Sequence, residues 1–357
     1  MKITLLLRYF NIGGLERVVS SLANSYVERG IDTQIIIMYA GRNNALITEL
    51  DKRVQLHILE GNRIEKMKQL RSLTKNRIVH MHFGNGKIFP LARIALLNVP
   101  TVITYHSDYR HKRNWILNRI DHSLLYNMKE IIAVSDAVKR FCVEDVHIKE
   151  KKVHVIRNAI NLPLKNELKT FSNDVVKLIS LANLFPHKNQ ITILKAIEIC
   201  KHRGIQLKLY MMGDGPEMSK MYRFCIEHDI TDMVIWYGNV WHKRFVNKLL
   251  EEVDGFISAS KFEGFPLSIL EGMAARLPLL LSDILPHREL AKDAALYFNA
   301  LDEVGIANVI TQFCRDRDLR TKMSEKAANC YLKYDMNIFV EEHLKVYKRL
   351  ESGEGLK

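Results

Sequence analysis

Three neighbouring segments decide the fold class: KITLLL (residues 2–7), GGLERVVSSLANSYVERG (residues 13–30) and QIIIMY (residues 34–39). The first and third are apolar runs of strand length, without the polar alternation of a half-exposed strand. In the middle segment Leu15, Val18, Val19, Leu22, Ala23, Tyr26 and Val27 share one helical face, and Gly30 closes the helix. A buried strand, an amphipathic helix and a second buried strand make one β–α–β step. Repetition of that step gives a doubly wound parallel sheet.

The step does repeat. Ile78–Phe83, Thr101–Tyr105, Ile131–Val134 and Val153–Ile156 read as further buried strands. Asn158–Asp174 is polar, contains Pro163 and has no sustained periodicity, so it reads as a linker between domains. Alternation resumes with strands at Val175–Leu181, Leu207–Met212, Met233–Tyr237, Gly255–Ser258 and Leu279–Leu281, and a helix at Thr192–His202. Asp302–Leu350 is helical in pattern, with a break near Tyr334-Asp335. The expectation is an α/β chain of two Rossmann-like doubly wound domains facing across a cleft. Residues 1–165 form the first domain and 166–334 the second, with 335–357 a C-terminal helix packed back on the first.

Composition narrows the class. The 357 residues are 47% hydrophobic and 26% charged, the balance of a folded protein rather than a disordered one. Met1–Leu7 is apolar but short, and Arg8 ends it without a small-residue cleavage site, which argues against export. Phe265–Leu281, the most apolar later stretch, carries Glu271, Arg276, Pro266 and Pro278 and makes a poor membrane span. Cys142, Cys200, Cys225, Cys314 and Cys330 contain no C-x-x-C pair, so neither a disulfide framework nor a zinc site is expected. The lone D-x-D triplet, Asp316-Arg317-Asp318, lies in a charged helical stretch and reads as helix surface; no metal is expected. Of the net charge of +13, residues 1–165 carry all, with 27 Lys+Arg against 14 Asp+Glu, while the remainder holds 26 of each. A basic first half facing a neutral second half points to an anionic partner for the first.

In open parallel sheets ligands bind beyond the carboxyl ends of the strands, where helix N-termini favour anions. Four segments fall there. Asn11–Arg17 follows the first strand, and Gly13-Gly14 permits close backbone approach, though alone it is a strand–helix turn. Ser180–Asn189 carries Lys188 just before a helix, where a lysine can neutralise a diphosphate leaving group. Gly213-Asp214-Gly215-Pro216-Glu217 reads as a turn and helix start with Pro216 near N1, its ligand role coming from exposed backbone amides. Glu263–Ala274 is the most specific, with a helix start at about Pro266 directly after one carboxylate and Glu271 roughly a turn and a half into the helix. Free amides at residues 264–268 can cradle phosphate, and a carboxylate can accept hydrogen bonds from sugar hydroxyls.

Taken together and in order, these segments resemble the retaining glycosyltransferases of the GT-B fold. The resemblance is to the large family four that includes sucrose-phosphate synthases and bacterial polysaccharide glycosyltransferases. It runs over nearly the whole chain. Gly13-Gly14-Leu15-Glu16-Arg17 is similar to the family's N-terminal glycine loop, and Pro100–His106 to the segment ending in its active-site histidine. Ile132–Ser135, Val155–Asn158, Lys188, Gly213–Pro216 and the E-x7-E pair Glu263/Glu271 complete the set. The resemblance implies that Glu271 binds the nucleotide ribose and that Glu263 and His106 lie by the donor sugar. Lys188 would hold the diphosphate with the Gly14 backbone, and the amides of Gly264, Phe265, Pro266 and Leu267 would surround sugar and phosphate. It implies transfer of a hexose or N-acetylhexosamine from a nucleotide diphosphate sugar, such as a UDP-sugar, with retention and no obligatory metal or cofactor. The acceptor would be a glycan or lipid-linked saccharide in cell-surface polysaccharide (capsule or O-antigen) synthesis. Two positions depart from the pattern: Asn183 stands where a second diphosphate cation, arginine, is usual, and Arg276 where a small residue is common.

In such enzymes the N-terminal domain binds the acceptor, often at the cytoplasmic membrane face. Two basic stretches fit that role: Arg63, Lys66, Lys68, Arg71, Lys75 and Arg77, and then Arg110, Lys112, Arg113 and Arg119 around Trp115, Ile116 and Leu117. The chain is therefore expected to be cytoplasmic and peripherally associated with an anionic membrane surface. Trp115 in the core is the alternative. Rival functions are a sugar-nucleotide 2-epimerase of the same fold and a non-catalytic basic glycan- or nucleic-acid-binding protein. The sequence has neither an RNP-like aromatic set nor a helix-turn-helix signal, so nucleic acid is not expected as a partner.

Overall fold

A computed structural model describes residues 1–11, 13–41, 45–83, 88–110, 114–167, 169–171, 175–240 and 242–352. The chain divides into two compact units, Met1–Asn161 together with Asp335–Lys357, and Leu162–Tyr334. The division falls after Asn161 rather than after residue 165, and the C-terminal segment belongs to the first unit.

Unit 1 holds β1 (Lys2–Leu7), α1 (Gly14–Glu28), β2 (Asp32–Ile37), β3 (Gln55–Ile58), α2 (Arg63–Leu73), β4 (Ile78–Met81) and α3 (Phe89–Ala95). It continues with β5 (Thr101–Tyr105), α4 (Trp115–Leu125), β6 (Ile131–Ala133), α5 (Asp136–Arg140) and β7 (Val153–Val155). The strands form a seven-stranded sheet in the order β3-β2-β1-β4-β5-β6-β7, every pair parallel. Strand order reverses between β1 and β4, which places the ligand-binding switch point beside the loops that follow those two strands. On α1, Val18, Val19, Leu22, Ala23, Tyr26 and Val27 are buried, so the apolar stripe of the sequence is the face that seats the helix. Each of the valines and the leucine contributes roughly 1.5–3 kcal/mol when fully buried.

Unit 2 repeats the plan with β8 (Val176–Leu181), α6 (Gln190–His202), β9 (Leu207–Met212), α7 (Met218–Glu227), β10 (Val234–Gly238) and α8 (Lys243–Glu252). Then follow β11 (Gly255–Ser258), α9 (Leu267–Ala274), β12 (Leu279–Ser282), α10 (Leu285–Ala291), β13 (Ala295–Phe298), α11 (Glu303–Arg315) and α12 (Arg317–Tyr331). Its sheet is six-stranded and parallel, in the order β10-β9-β8-β11-β12-β13, with the reversal between β8 and β11. Ile193, Ile197 and Cys200 of α6 share one buried cluster with Ile306, Ile310 and Phe313 of α11. Arg320 of α12 is fully buried, donating to the carbonyls of Phe313 (2.8 Å) and Cys314 (2.7 Å) beside the rings of Phe171 and Phe313. The first aspartate of the D-x-D triplet caps a helix: Asp316 precedes α12 and its Oδ1 accepts the Leu319 amide at 2.8 Å.

The last helix, α13 (Met336–Ser352), packs within unit 1. Its Tyr347 hydroxyl meets the Tyr26 hydroxyl of α1 at 3.1 Å, and Arg349 pairs with the buried Glu130 at 3.2 Å. Glu130 also pairs with His154. Burial raises the Glu130 pKa, and His154 with Arg349 outweighs it, holding the carboxyl below its ordinary range.

Candidate active site

In unit 1 the loop after β1 enters α1 through Gly13, whose backbone is extended at φ −162. Any residue can adopt that conformation, so the glycine answers to space: a Cβ here would lie 2.5 Å from the Glu16 carboxylate. Glu16 is the third helical residue and folds back over the open helix N-terminus, where burial raises its pKa to about 7. His106 follows β5 directly and is half-buried. Its Nε2 lies 3.1 Å from Nδ1 of His82, the residue just past β4. Burial, with His343 nearby, lowers the His106 pKa to about 3, so the ring is neutral throughout the physiological range. His82 was not among the expected site residues; in the sequence it sits inside an apolar run.

In unit 2 the loops after β8, β9 and β11 converge. Gly213 has φ +141 and its amide donates to the Gly238 carbonyl at 2.8 Å. Across from it Ala182 N donates to Met212 O (3.0 Å) and Leu184 N to Asp214 O (3.0 Å), so the two loops lie backbone against backbone. The amide of Gly215 is taken by Asp214 Oδ1 at 2.7 Å. Gly213 thus serves close approach rather than offering a free amide. The following helix begins at Met218, two residues beyond the Pro216 start read from the sequence, because Pro216 and Glu217 complete a turn first.

Lys188 is positioned by its neighbour. Asn189 takes the left-handed conformation, φ +57, which asparagine tolerates better than most residues. Its buried side chain donates to the carbonyls of Ala259 (3.2 Å) and Ala300 (2.6 Å) and accepts from Thr192 (2.9 Å). The Lys188 ammonium then meets Glu263 Oε1 at 2.5 Å, and Ser260 donates to the same oxygen at 2.8 Å. Burial pushes the Glu263 pKa up, but the Lys188 charge, His287 and the two hydrogen bonds together hold it below its ordinary value. Glu263 is ionised. His287, fully buried on α10, has a pKa lowered by burial to about 4 and shares Nδ1 between the Ser282 carbonyl (3.0 Å) and hydroxyl (3.1 Å). Ser260, Asn189 and His287 carry no motif and were not expected.

Past Glu263 the chain enters α9 at Leu267, with Pro266 as its N-cap. Phe265 is 6% exposed and stacks edge-on against Tyr334 at 5.6 Å, and Leu267 is buried as well. These side chains seat the loop, leaving only backbone for a ligand. Pro266 has no N–H, so the amides available are those of Gly264, Phe265, Leu267 and Ser268, which donate to no backbone carbonyl among the described residues. Glu271 is half-buried on α9. Asn183 is exposed in the β8 loop, its carbonyl accepting from Phe185 N at 3.0 Å and from Gln190 Nε2 at 3.3 Å. Arg276, at φ +58 just after α9, donates through Nε to the Lys165 carbonyl at 2.5 Å and so ties down the chain entering unit 2.

The two basic stretches separate residue by residue. Lys66 is not on the surface: it is 9% exposed, donates to the Met38 carbonyl at 2.7 Å and lies over the Tyr39 ring. Arg77 is also turned inward, paired with Asp32 at 2.8 Å. Arg63, Lys68 and Arg71 are exposed. Arg110 is compensated by Asp145 (2.6 Å) and Glu144 (3.2 Å). Lys112 and Arg113 lie outside the described residues. Trp115 is not in the core; it is 68% exposed at the start of α4, with Ile116, Leu117 and Ile120 exposed along the same helix. Asn114 caps that helix, its side chain accepting the Leu117 amide at 3.1 Å. Exposed apolar residues grouped on one helix make it a candidate interaction surface.

Comparison with known proteins covers both units. Residues 12–163 match the family profile described as Glycosyltransferase Family 4, and residues 164–329 the one described as Glycosyl transferases group 1. The chain is similar to EpsF of Bacillus subtilis (strain 168), 24% identical over 59% of this chain and 58% of that protein, a match to less than two thirds of EpsF. It is also similar to the UDP-Gal:alpha-D-GlcNAc-diphosphoundecaprenol alpha-1,3-galactosyltransferase of Escherichia coli, 24% identical over 71% of this chain and 75% of that one. Among solved structures, Anabaena Alr3699/HepE in complex with UDP and glucose superposes with a TM-score of 0.84 at 16% identity, covering 98% of this chain and 99% of that one. The architecture is that of the GT-B glycosyltransferases.

Proposed function

The chain belongs to glycosyltransferase family 4, and from that premise we propose that it moves a hexose or N-acetylhexosamine from a UDP-sugar to a lipid-linked saccharide in cell-surface polysaccharide synthesis. The observation that carries the donor half of this reading is the Lys188–Glu263–Ser260 cluster beside the open N-terminus of α9. An ionised carboxylate can accept sugar hydroxyls, an ammonium can take up the charge of a departing diphosphate, and free amides of a helix start favour phosphate. The reading assigns Glu271 to the ribose and keeps His106 and the Gly13-Gly14 turn as ligand contacts of unit 1. Transfer with retention and without an obligatory metal follows the family pattern. UDP is favoured because a superposing structure holds UDP and glucose and a relative is named for UDP-Gal; that relative's diphosphoundecaprenol-linked acceptor supports the lipid-linked acceptor here.

The test is Glu271→Ala against a panel of nucleotide sugars. Removal of a carboxylate bonded to ribose hydroxyls costs about 1.5–3 kcal/mol, which is roughly ten- to a hundredfold in donor KM. The loss should be equal for every sugar on the same nucleotide. Full activity of the variant at low donor concentration would remove Glu271 from the site.

For the acceptor side we infer peripheral attachment to an anionic bilayer through α4. No helix of the described residues is long and apolar enough to cross a membrane. Trp115, Ile116 and Ile120 would enter the interface, and Arg119, Arg63, Lys68 and Arg71 would add about 1 kcal/mol for each base that reaches the surface. In sedimentation at low salt the protein should pellet with anionic vesicles and not with neutral ones, and Trp115→Ser/Ile120→Ser should weaken partitioning about tenfold or more. Equal partitioning into both vesicle types would rule the surface out.

A further inference from the structure

Unit 1 buries a cluster of histidines. His80, on β4, is fully buried, its Nδ1 2.6 Å from the Tyr347 hydroxyl and its Nε2 2.6 Å from the Thr104 hydroxyl. Both nitrogens are spent, so His80 ties β4 to β5 and α13. His343 of α13 donates through Nδ1 to the Phe339 carbonyl at 2.8 Å, and its ring lies 5.6 Å from that of His80. His82 is different. It is 1% exposed, its ring centroid 4.0 Å from that of His80 with the planes tilted by 34°, and among the described residues only its Nδ1 has a partner, His106 Nε2 at 3.1 Å. The other, Nε2, is sealed from solvent with no partner among the described residues.

Burial first, and then mutual repulsion among the rings, keeps His82 and His106 neutral. Each neutral imidazole has one N–H, and the His82–His106 contact holds one proton between two nitrogens. If His106 were the donor, His82 would carry its own proton on Nε2, leaving a buried N–H with nothing to bond. If His82 is the donor, its Nε2 is a bare lone pair. Orphaned buried N–H groups are rarer in folded proteins than under-used acceptors. We propose that His82 is a positioning residue: as the Nδ1–H tautomer it donates to His106 Nε2 and confines the proton of His106 to Nδ1, which then is the donor the ring presents to a ligand. The assignment deepens the reading of His106 as a ligand contact and rests on it for its effect on rate.

Long-range proton–nitrogen correlation spectra of 15N-histidine-labelled protein read the tautomer directly, with His106→Gln and His82→Asn to assign the signals. The expected result is a protonated Nδ1 and a bare Nε2 on His106; a protonated Nε2 overturns the proposal whether or not the chain transfers sugar. In rate measurements, His82→Leu should lower kcat about ten- to a hundredfold with donor KM changed less than about threefold, the size usual for lost orienting partners. His82→Asn, whose amide N–H can overlay Nδ1–H, should restore kcat to within about threefold of the unaltered chain. Equal losses in two folded variants would overturn the positioning role. If His82→Leu fails to fold, the spectra and the asparagine variant still decide.

Discussion

A Lys188→Met variant should lose at least about two orders of magnitude in kcat, and Glu263 should then cost stability as the pH rises, the reverse of what the intact pair contributes. The reason lies with its partner. Lys188 and Glu263 are 20% and 11% exposed and 2.5 Å apart. In the intact pair the folded-state pKa of Glu263 lies below its ordinary value of 4.5, so the pair adds stability above pH 4.5 and loses it as pH falls through the lower folded value. Without Lys188, burial remains and only the Ser260 hydroxyl opposes it among the direct hydrogen bonds. The folded pKa then rises above 4.5, and the penalty of an unpaired buried carboxylate appears as pH climbs past that point. Breaking a fully buried pair costs about 3–5 kcal/mol; the residual exposure here reduces that to about 2–3 at neutral pH. Melting temperatures of variant and parent should separate toward pH 7 and converge only as the pH falls through the lowered folded-state pKa of Glu263, about 2–4 °C for each kcal/mol. Lys188→Met/Glu263→Gln should recover the stability and none of the activity. A pH-independent gap would show that the ion pair does not set the stability, and an unchanged kcat would exclude Lys188 from leaving-group stabilisation.

The central strands were legible because burial on both faces writes them as apolar runs: β1, β5, β9 and β11 begin and end where the sequence places them. The strands that were missed lie at sheet edges. β3 (QLHI) has exposed residues at both ends and β13 (ALYF) is half-buried at its centre, so neither makes an uninterrupted run. Among site residues, Glu263 and Glu271 stood out because glycine and proline mark the helix start between them. His80 and His82 carry a readable signal in their spacing. Two histidines at i and i+2 of an extended apolar run share one face, and two imidazoles on one face there must find polar partners. Lys66 and Trp115 show the opposite limit. A lysine in one basic stretch and a tryptophan in the other carry no local signal to say which turns inward; the Met38 carbonyl that holds Lys66 is 28 residues away.

Gly213→Ala should be the most damaging single methyl addition in unit 2. Its φ of +141 is outside the range L side chains adopt readily, and a Cβ would stand 2.0 Å from the Ala182 carbonyl oxygen. That oxygen is backbone and cannot rotate away, unlike the Glu16 carboxylate facing Gly13. The strained backbone costs about 1–2 kcal/mol, and relieving the clash parts two loops held by Ala182 N–Met212 O and Leu184 N–Asp214 O, for a total on the order of 3–4 kcal/mol. Unit 2 should melt roughly 10 °C lower. Gly30→Ala is the comparison: its φ of +73 is also positive, but nothing lies within 4 Å of the added Cβ, so only the conformational cost remains and unit 1 should fall by no more than about 4 °C. Equal effects of the two substitutions would mean that the β8 and β9 loops can separate freely. Donor binding separates the cases further, because the β8 loop carries Asn183 and leads to Lys188. A Gly213→Ala protein held folded at low temperature should still bind donor weakly, with the loss in affinity exceeding that of any substitution at the exposed Asn183 side chain.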